Sequence, residues 1–100
     1  MPLLVLAGEL LRKPLDERWG YELSQETGLA PGTIQPILTR LEADGWLDVR
    51  WEPADEALEQ GRRPRRLYRL TGAGAAAAQE LLDDRGKRLS VLRSATGAAG

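Results

Sequence analysis

Five arginines crowd into eight positions in the second half of the chain, with no acidic residue between them: Arg62, Arg63, Arg65, Arg66 and Arg69. Guanidinium groups bind phosphate oxygens through paired hydrogen bonds, so this density is typical of a polyanion-binding surface. The alternative is a solvated turn that pairs with the acids Glu52, Asp55 and Glu59. Arg69 in particular could pair with Asp48 or Glu52. The uninterrupted run favours phosphate binding.

The residue types that most often perform covalent or metal chemistry are missing. The sequence has no Cys and no His, which removes thiolate nucleophiles, Cys-ligated zinc and the commonest general base. Asp55, Glu56 and Glu59 lack the spacing of an EF-hand loop, and we interpret them as solvated. We therefore predict that the chain is not an enzyme and needs neither a metal nor another cofactor.

Charge is distributed unevenly along the chain. The formal net charge of −1 does not by itself favour a nucleic-acid partner. Residues 1–60, however, carry five basic and twelve acidic side chains, whereas residues 61–100 carry nine basic and three acidic. This asymmetry indicates a local anion-binding surface on a nearly neutral protein.

Two predicted helices joined at Gly28 precede the arginine cluster. The first covers residues 21–27, and Gly28 follows it as a residue able to take a positive φ. The second runs from about residue 31 to residue 44, with apolar side chains at helical spacing: Ile34, Ile37, Leu38 and Leu41. The positions left facing outward are Gly32, Thr33, Gln35, Pro36, Thr39 and Arg40. The arrangement predicts a helix-turn-helix whose second helix reads DNA.

The outward residues of this second helix suit DNA. Gly32 and Thr33 are small enough for a phosphate to approach the helix N-terminus, which itself favours an anion. Gln35 can pair with adenine through its amide, and Arg40 can reach a phosphate or a guanine. The alternative is an ordinary helical hairpin in a small core, since helix pairs with a glycine turn are common.

A β-hairpin is predicted after the helix pair. Apolar and charged residues alternate from residue 47 to residue 52, and a loop at 53–64 leads to a returning strand at 65–70. The arginine cluster then lies at the tip and on the returning strand. A hairpin beside a recognition helix is a wing, and its arginines could contact the DNA backbone or a narrow minor groove.

Helices are also predicted at both ends of the chain. Residues 2–13 are apolar on more than one side, which indicates a central helix or one shared with a partner chain. Residues 73–93 carry an apolar stripe that would cover the core or form a dimer seam, and residues 95–100 are predicted to be a flexible tail. The fold class is mainly α with a small β-hairpin (α+β): a winged helix-turn-helix domain at 1–72 and a C-terminal dimerisation helix at 73–94.

Four stretches of the sequence resemble the DNA-binding core of the PadR-like regulators. They are Gly20–Ser24, Thr27–Leu29, Gly32–Leu47 and Gly61–Thr71, and Gly74 follows the last of them. Each stretch alone is weakly specific, but their order over about residues 3–80 is specific.

The resemblance implies a homodimer that binds palindromic promoter DNA, usually to repress transcription. The predicted DNA contacts are Gly32, Thr33, Gln35, Pro36, Thr39, Arg40, Arg62, Arg63, Arg65 and Arg66. The predicted dimer contacts are Leu3, Leu6, Leu10, Ala78, Leu81, Leu82, Arg85, Leu89 and Leu92. The chain departs from the family pattern in having Gln35 where Tyr is usual. The contacts that this position makes with bases or an effector in the family therefore do not carry over directly to this chain. It also has Leu67-Tyr68 in place of paired aromatics, which we interpret as a packing variation.

A small aromatic effector is a further predicted partner, entering the dimer interface beside Trp19 or the first helix. The duller interpretation is that Trp19, Trp46 and Trp51 are core or half-buried residues. With no signal peptide and no stretch of membrane-spanning length, the predicted location is cytoplasmic. The acidic first 60 residues leave an alternative function open, namely a winged-helix module that binds another protein rather than DNA.

Overall fold

The chain forms five helices and three strands over the part that the structure, a computed structural model, describes: the backbone of residues 2–99 and the side chains of residues 2–85. The elements in order are α1 (Pro2–Arg12), β1 (Arg18–Trp19), α2 (Gly20–Thr27), α3 (Pro31–Ala43), β2 (Leu47–Trp51), α4 (Ala54–Glu59), β3 (Arg66–Leu70) and α5 (Gly72–Ala99). The predicted fold class, mainly helical with a small antiparallel β-structure, is confirmed.

The sheet has three strands, in the order β1-β3-β2, where the sequence predicted a hairpin of two. The extra strand, β1, consists of two residues between the first helix and the helix-turn-helix, where no strand was predicted. Arg18 lies opposite Tyr68, and Trp19 lies opposite Leu67. A strand of two residues is too short to show alternation, so its existence depends on the partner strand rather than on its own pattern.

The predicted loop at 53–64 is partly helical, because α4 occupies Ala54–Glu59. The sequence carries features of a helix start here, namely Pro53 just before the first turn and Asp55 and Glu56 within it. Ala57 is fully buried, so this short helix packs against the domain. The last helix, α5, continues past the predicted end at Arg93 and includes most of the segment at 95–100 that was predicted as a tail.

A single aliphatic core joins the helices to the inner face of the sheet. Its buried members are Leu6, Leu10, Leu23, Ile34, Leu38, Leu41, Leu47, Tyr68 and Leu70. They come from α1, α2, α3, β2 and β3, so the helix-turn-helix and the sheet are packed as one unit. Over the residues described, no helix is long and apolar enough to cross a membrane.

The start of α5 is fixed tightly to the turn between α3 and β2. The Gly74 N–H donates to the Thr71 hydroxyl (2.8 Å), which in turn donates to the carbonyl of Gly45 (2.8 Å), so Thr71 caps the helix. A Cβ on Gly74 would lie 2.1 Å from the Trp46 carbonyl oxygen. Only glycine allows this close approach of the two backbones.

Arg18 is the most unusual buried group in the core region, with 2% of its surface exposed. Its guanidinium donates to a Glu9 carboxylate oxygen (2.8 Å), to the Glu9 carbonyl (3.3 Å) and to Glu22 (3.1 Å), and it also pairs with Glu26. Burial works against ionisation of Glu9, yet the hydrogen bonds from Arg18 and Arg12 hold the Glu9 pKa below its usual value. The cluster joins α1, β1 and α2.

We predict that Arg18→Met destabilises the protein by about 3–5 kcal/mol, because it leaves the buried Glu9 carboxylate without its main partner. Arg12→Met is the matched control, since Arg12 pairs with the same carboxylate from an exposed position and should cost less than about 1 kcal/mol. Urea denaturation followed by circular dichroism measures both. Equal losses in the two variants would contradict a special role for the buried cation.

Candidate nucleic-acid interface

The turn between α2 and α3 has the geometry of a helix-turn-helix. Gly28 adopts a φ of 74° and its N–H donates to the Ser24 carbonyl (3.0 Å), which ends α2. The Ser24 hydroxyl donates to the Leu29 carbonyl (2.6 Å), which fixes the turn. The Ala30 carbonyl accepts from the N–H groups of Thr33 and Ile34, which starts α3. We call α3 the recognition helix.

The recognition helix separates its side chains as the spacing predicted. Ile34, Leu38 and Leu41 are buried in the core, and Ile37 is half-buried. The predicted contact residues are all on the exposed surface of the helix: Gly32, Thr33, Gln35, Pro36, Thr39 and Arg40. Arg40 is 84% exposed and lies 4.0 Å from Asp44, so its guanidinium is free to reach a ligand. This surface has the composition that a DNA-reading helix needs.

Gln35 makes a contact that the sequence did not reveal. Its amide nitrogen donates to the Tyr68 hydroxyl of β3 (3.0 Å), which ties the recognition helix to the sheet. The amide oxygen faces Gly20, where an added Cβ would lie 3.4 Å away. The amide that the sequence assigned to adenine is therefore engaged within the protein, at the position where the family pattern has Tyr. The contact positions the helix against β3.

The arginines of the hairpin lie on two faces. We call β2, β3 and the connecting residues 52–65 the wing. The register places Trp51 opposite Arg66 and Val49 opposite Tyr68, and these residues share the inner face, which continues into the core. Asp48 lies opposite Arg69 on the other, outer face. Of the cluster, Arg66 and Arg69 lie in β3, and they point to opposite faces because faces alternate along a strand.

Three arginines of the cluster are engaged by nearby carboxylates. Glu52, with 9% of its surface exposed, accepts from Arg62 through both oxygens (2.6 and 2.8 Å) and from Arg65 (3.2 Å). Arg69 lies 3.8 Å from Asp48, which is one of the two pairings that the sequence left open. For Arg62 and Arg65 the structure therefore shows the pairing with Glu52, just after β2, that the sequence offered as the alternative to phosphate binding.

Arg65 is held a second way, since its guanidinium lies 4.4 Å from the centre of the Trp19 ring. Its Nε is buried without a hydrogen-bond partner. Trp19 also packs against Tyr21, with ring centres 5.4 Å apart. Arg65 thus covers one face of Trp19, the residue beside which an effector was predicted to enter. Trp19 and Arg65 together connect the start of α2 to the wing.

The other two arginines of the cluster, Arg63 and Arg66, are exposed. Among the side chains that the structure describes, Arg63 at the wing tip is exposed and has no carboxylate within ion-pair distance. Arg66, on the inner face, pairs with Glu42 of the recognition helix (3.0 Å) through groups that are both partly exposed. Among the described side chains, the wing thus offers one unpaired guanidinium, at its tip, and a second that is partly exposed but paired with the recognition helix.

A groove of about 360 Å³ lies between the recognition helix, α1 and the segment before β2. Its lining is mainly apolar and comes from α1, α3 and the residue before β2: Leu3, Pro36, Ile37, Arg40, Leu41, Asp44 and Trp46. The volume falls in the range of small-molecule sites. No group of three or more acidic side chains that could hold a metal ion occurs within residues 2–85.

The predicted dimer contacts divide into groups. Leu6, Leu10 and Ala78 are buried inside the single chain and cannot reach a partner, because they face the core rather than the outer side of their helices. Leu3, Leu81 and Leu82 are half-buried, and Arg85 is exposed. The side chains of Leu89 and Leu92 lie outside the described residues. Sequence periodicity located the stripes correctly but could not tell which stripe faced inward.

The outer side of α1 carries apolar surface. Val5 is exposed, Leu4 and Leu11 are half-buried, and Leu15, just after the helix, is 85% exposed. Gly8 lies on the same helix, and a Cβ there would meet open space. This surface, rather than Leu6 and Leu10, is available to a second chain.

A recognition helix packed beside a three-stranded sheet with an arginine-bearing wing defines a winged helix-turn-helix protein. The sequence profile of the transcriptional regulator PadR-like family matches residues 9–80. The chain therefore belongs to the PadR-like family of transcriptional regulators, and it is not an enzyme.

Individual relatives agree with this assignment. The chain is 44% identical over 63 residues to the transcriptional regulator Rv3488 of Mycobacterium tuberculosis, a match that covers 63% of this chain and 48% of the relative. The chain thus spans about half the length of the curated relative that it matches.

Solved structures share the fold. Smu.1704 from Streptococcus mutans is similar with a TM-score of 0.71 and 25% identity, over 94% of this chain and 88% of that one. A PadR-like transcriptional regulator from Bacillus cereus has a TM-score of 0.66 and 23% identity, over 90% of this chain and 89% of its own. At this identity the second likeness supports the fold alone.

We predict a coupling free energy of about 0.5–1.5 kcal/mol between Gln35 and Tyr68, measured with Gln35→Leu, Tyr68→Phe and the double variant by thermal or urea unfolding. The coupling reports their hydrogen bond. Thr39→Ala with Tyr68→Phe is the matched control cycle, because the Thr39 hydroxyl bonds to the Gln35 carbonyl instead. Equal coupling in both cycles would show that the hydrogen bond does not tie the helix to β3.

Proposed function

We propose that this chain is a homodimeric repressor that binds palindromic promoter DNA through the recognition helix and the wing. The observation that carries the proposal is the pair of contacts, Gln35 to Tyr68 and Glu42 to Arg66, that join the recognition helix to β3. Because of these contacts, the exposed helix surface and the wing form one continuous surface. A major-groove helix flanked by a backbone-binding wing is how this fold contacts a duplex.

The individual contacts follow from side-chain chemistry. The N-terminus of the recognition helix, with Gly32 and Thr33, accepts a phosphate, and Thr39 and Arg40 are directed toward base edges or the next phosphate. Arg63 neutralises a phosphate from the wing tip. Arg62 and Arg65 stiffen the wing through Glu52 and do not contact DNA themselves. This assignment revises the sequence-based set, in which all four cluster arginines at 62–66 bound DNA.

The dimer is proposed to form between the outer side of α1 and the apolar stripe of α5. Exposed and half-buried apolar groups on these two helices, such as Leu4, Val5 and Leu82, are the available surface. A two-fold dimer places two recognition helices on successive turns of the duplex, which is why the operator is expected to be palindromic.

A small apolar or aromatic effector would enter the groove beside α1 rather than the face of Trp19, which Arg65 covers. Pro36, Ile37 and Arg40 line that groove and belong to the recognition helix, so a ligand there would act directly on DNA reading. The cytoplasmic location expected from the sequence agrees with a chromosomal target.

One observation favours a second candidate function, a module that binds another protein. Three of the five cluster arginines, Arg62, Arg65 and Arg69, are paired with carboxylates of the outer face, which leaves less positive charge for phosphates than the sequence suggested. Fluorescence anisotropy with labelled DNA from upstream of the protein's own gene, against a scrambled duplex, separates the two functions. Preference for the upstream DNA supports the repressor, and absence of binding to either duplex at low salt supports the module.

We predict that Arg63→Gln makes the plot of log affinity against log salt concentration shallower by about one, because one phosphate contact is lost. Arg62→Gln is the matched control. Arg62 is the neighbour of Arg63 in the sequence, but its guanidinium is engaged by Glu52. Its loss should therefore lower the melting temperature and leave the salt slope unchanged. A slope reduced equally by both variants would contradict the division of the arginines.

We predict that Val5→Asp and Leu82→Asp each convert the dimer to a monomer, because each places a carboxylate in an apolar interface. Sedimentation velocity measures the oligomeric state, and circular dichroism checks that the variants remain folded. Leu58→Asp is the control, since Leu58 is an exposed leucine of α4, outside the proposed interface. If both test variants sediment like the unaltered chain, the dimer is built from another surface.

A further inference from the structure

Trp51 occupies a position that the sequence did not predict for a tryptophan. It is 64% exposed, although the pattern favoured core or half-buried packing. Trp51 is the last residue of β2 and lies on the inner face of the wing. The pair Val49 and Tyr68 on this face is covered by the helices, whereas the next pair, Trp51 and Arg66, is exposed. Most of an indole that can bury roughly 150–250 Å² therefore lies in water.

The neighbouring helix does not cover this ring. The short helix α4 begins three residues after Trp51 and buries Ala57 against the domain, while its own Leu58 stays 78% exposed. If the fold brought the Trp51 and Leu58 side chains into contact, each would cover part of the other, yet both are largely exposed. The Trp51 indole therefore lies on the surface without an apolar neighbour from α4.

The surroundings of Trp51 identify the kind of ligand that it suits. The Arg66 guanidinium lies 5.9 Å from the centre of its ring and is shared with Glu42 of the recognition helix. Arg63 provides a second positive charge at the wing tip. An apolar ring beside guanidinium groups matches a chain that alternates anionic phosphates with apolar sugar faces. Duplex DNA has that chemistry, and the surface is continuous with the recognition helix.

We infer that Trp51 is a DNA-contacting residue, whose indole packs on a deoxyribose next to the phosphate that Arg66 binds. The inference rests on the proposed function and adds a sequence-independent apolar contact to it. In this arrangement Arg66 exchanges Glu42 for a phosphate, and Trp51 loses water from the exposed face of its ring. The contact contributes affinity and fixes where the wing sits on the backbone.

The first experiment measures anisotropy of the labelled upstream duplex at several salt concentrations with the dimeric protein. We expect Trp51→Ala to weaken binding about five- to tenfold at every salt concentration, at the low end of what one aromatic contact contributes. Its salt slope stays that of the unaltered protein, because the indole is uncharged. Arg66→Gln, by contrast, makes the slope shallower by about one.

Two further variants control this comparison. Trp51→Phe keeps an aromatic ring and should recover most of the affinity. Leu58→Ala removes another exposed apolar side chain of the wing and should change nothing. Fluorine NMR of protein carrying 5-fluorotryptophan, assigned with Trp51→Phe, then tests contact directly: the Trp51 resonance shifts and its solvent isotope effect falls on adding duplex.

Several outcomes would overturn the inference. Unchanged affinity of Trp51→Ala, or a Trp51 resonance that does not respond to bound duplex, leaves the proposed function intact and removes this contact. A salt slope reduced as in Arg66→Gln would show that Trp51 acts only by holding Arg66. If the unaltered dimer binds no duplex even at low salt, the proposed function fails and the inference fails with it. The surface would then be assigned to a protein partner.

Discussion

The burial of one cation, Arg18, sets the geometry on which the other surfaces depend. Removing a guanidinium from water is costly, and the cost is offset only because Glu9, Glu22 and Glu26 converge on it from α1 and α2. The same crowding of carboxylates raises the pKa of Glu26, first through its hydrogen bond with Glu9. Arg18 also pairs with Tyr68 in the sheet. The cluster therefore fixes the orientation of β3, the strand that carries the wing arginines, relative to the helix-turn-helix.

The wing follows from strand alternation acting on an arginine-rich sequence. Adjacent arginines of one strand must point to opposite faces, so a run that looks uniform in the sequence divides into two sets with different roles. Glu52 forms ion pairs with Arg62 and Arg65, and the Arg65 guanidinium also packs on the Trp19 ring. On the inner face, Arg66 reaches the recognition helix. In the proposed function, stiffening of the wing and DNA contact are separate tasks of neighbouring residues, and only the residues that contact DNA are expected to affect the salt dependence of binding.

The sequence predicted those features that have a local period or a local turn. The stripe at Ile34, Leu38 and Leu41 gave the recognition helix, and the alternation at residues 47–52 gave β2. Contacts between distant segments left no such pattern, which is why β1 and the Gln35–Tyr68 hydrogen bond were missed, and why the Glu52 pairs were only one of two alternatives. The same limit applies to Leu6 and Leu10, which were predicted as dimer contacts and are buried in the core of the single chain, since a helix apolar on two sides does not reveal which side meets the core. For α4 the information was present, in Pro53 and the acids after it, but the glycine and arginines nearby suggested a loop.

The low net charge becomes understandable when the ion pairs are considered together. A DNA-binding protein gains affinity from each phosphate that it neutralises, but that gain is almost independent of sequence. Carboxylates engage Arg62, Arg65 and Arg69 and so reduce this general attraction, whereas the proposed function assigns phosphate contacts to Arg63 and Arg66. Fewer phosphate contacts mean weaker binding to the many non-specific sites of a chromosome, and the ratio of specific to non-specific affinity determines occupancy of an operator. With few phosphate contacts, the proposed function requires the exposed surface of the recognition helix to supply a large share of the discrimination between the operator and other DNA. The attachment of that helix to β3 through Gln35 holds this surface in place.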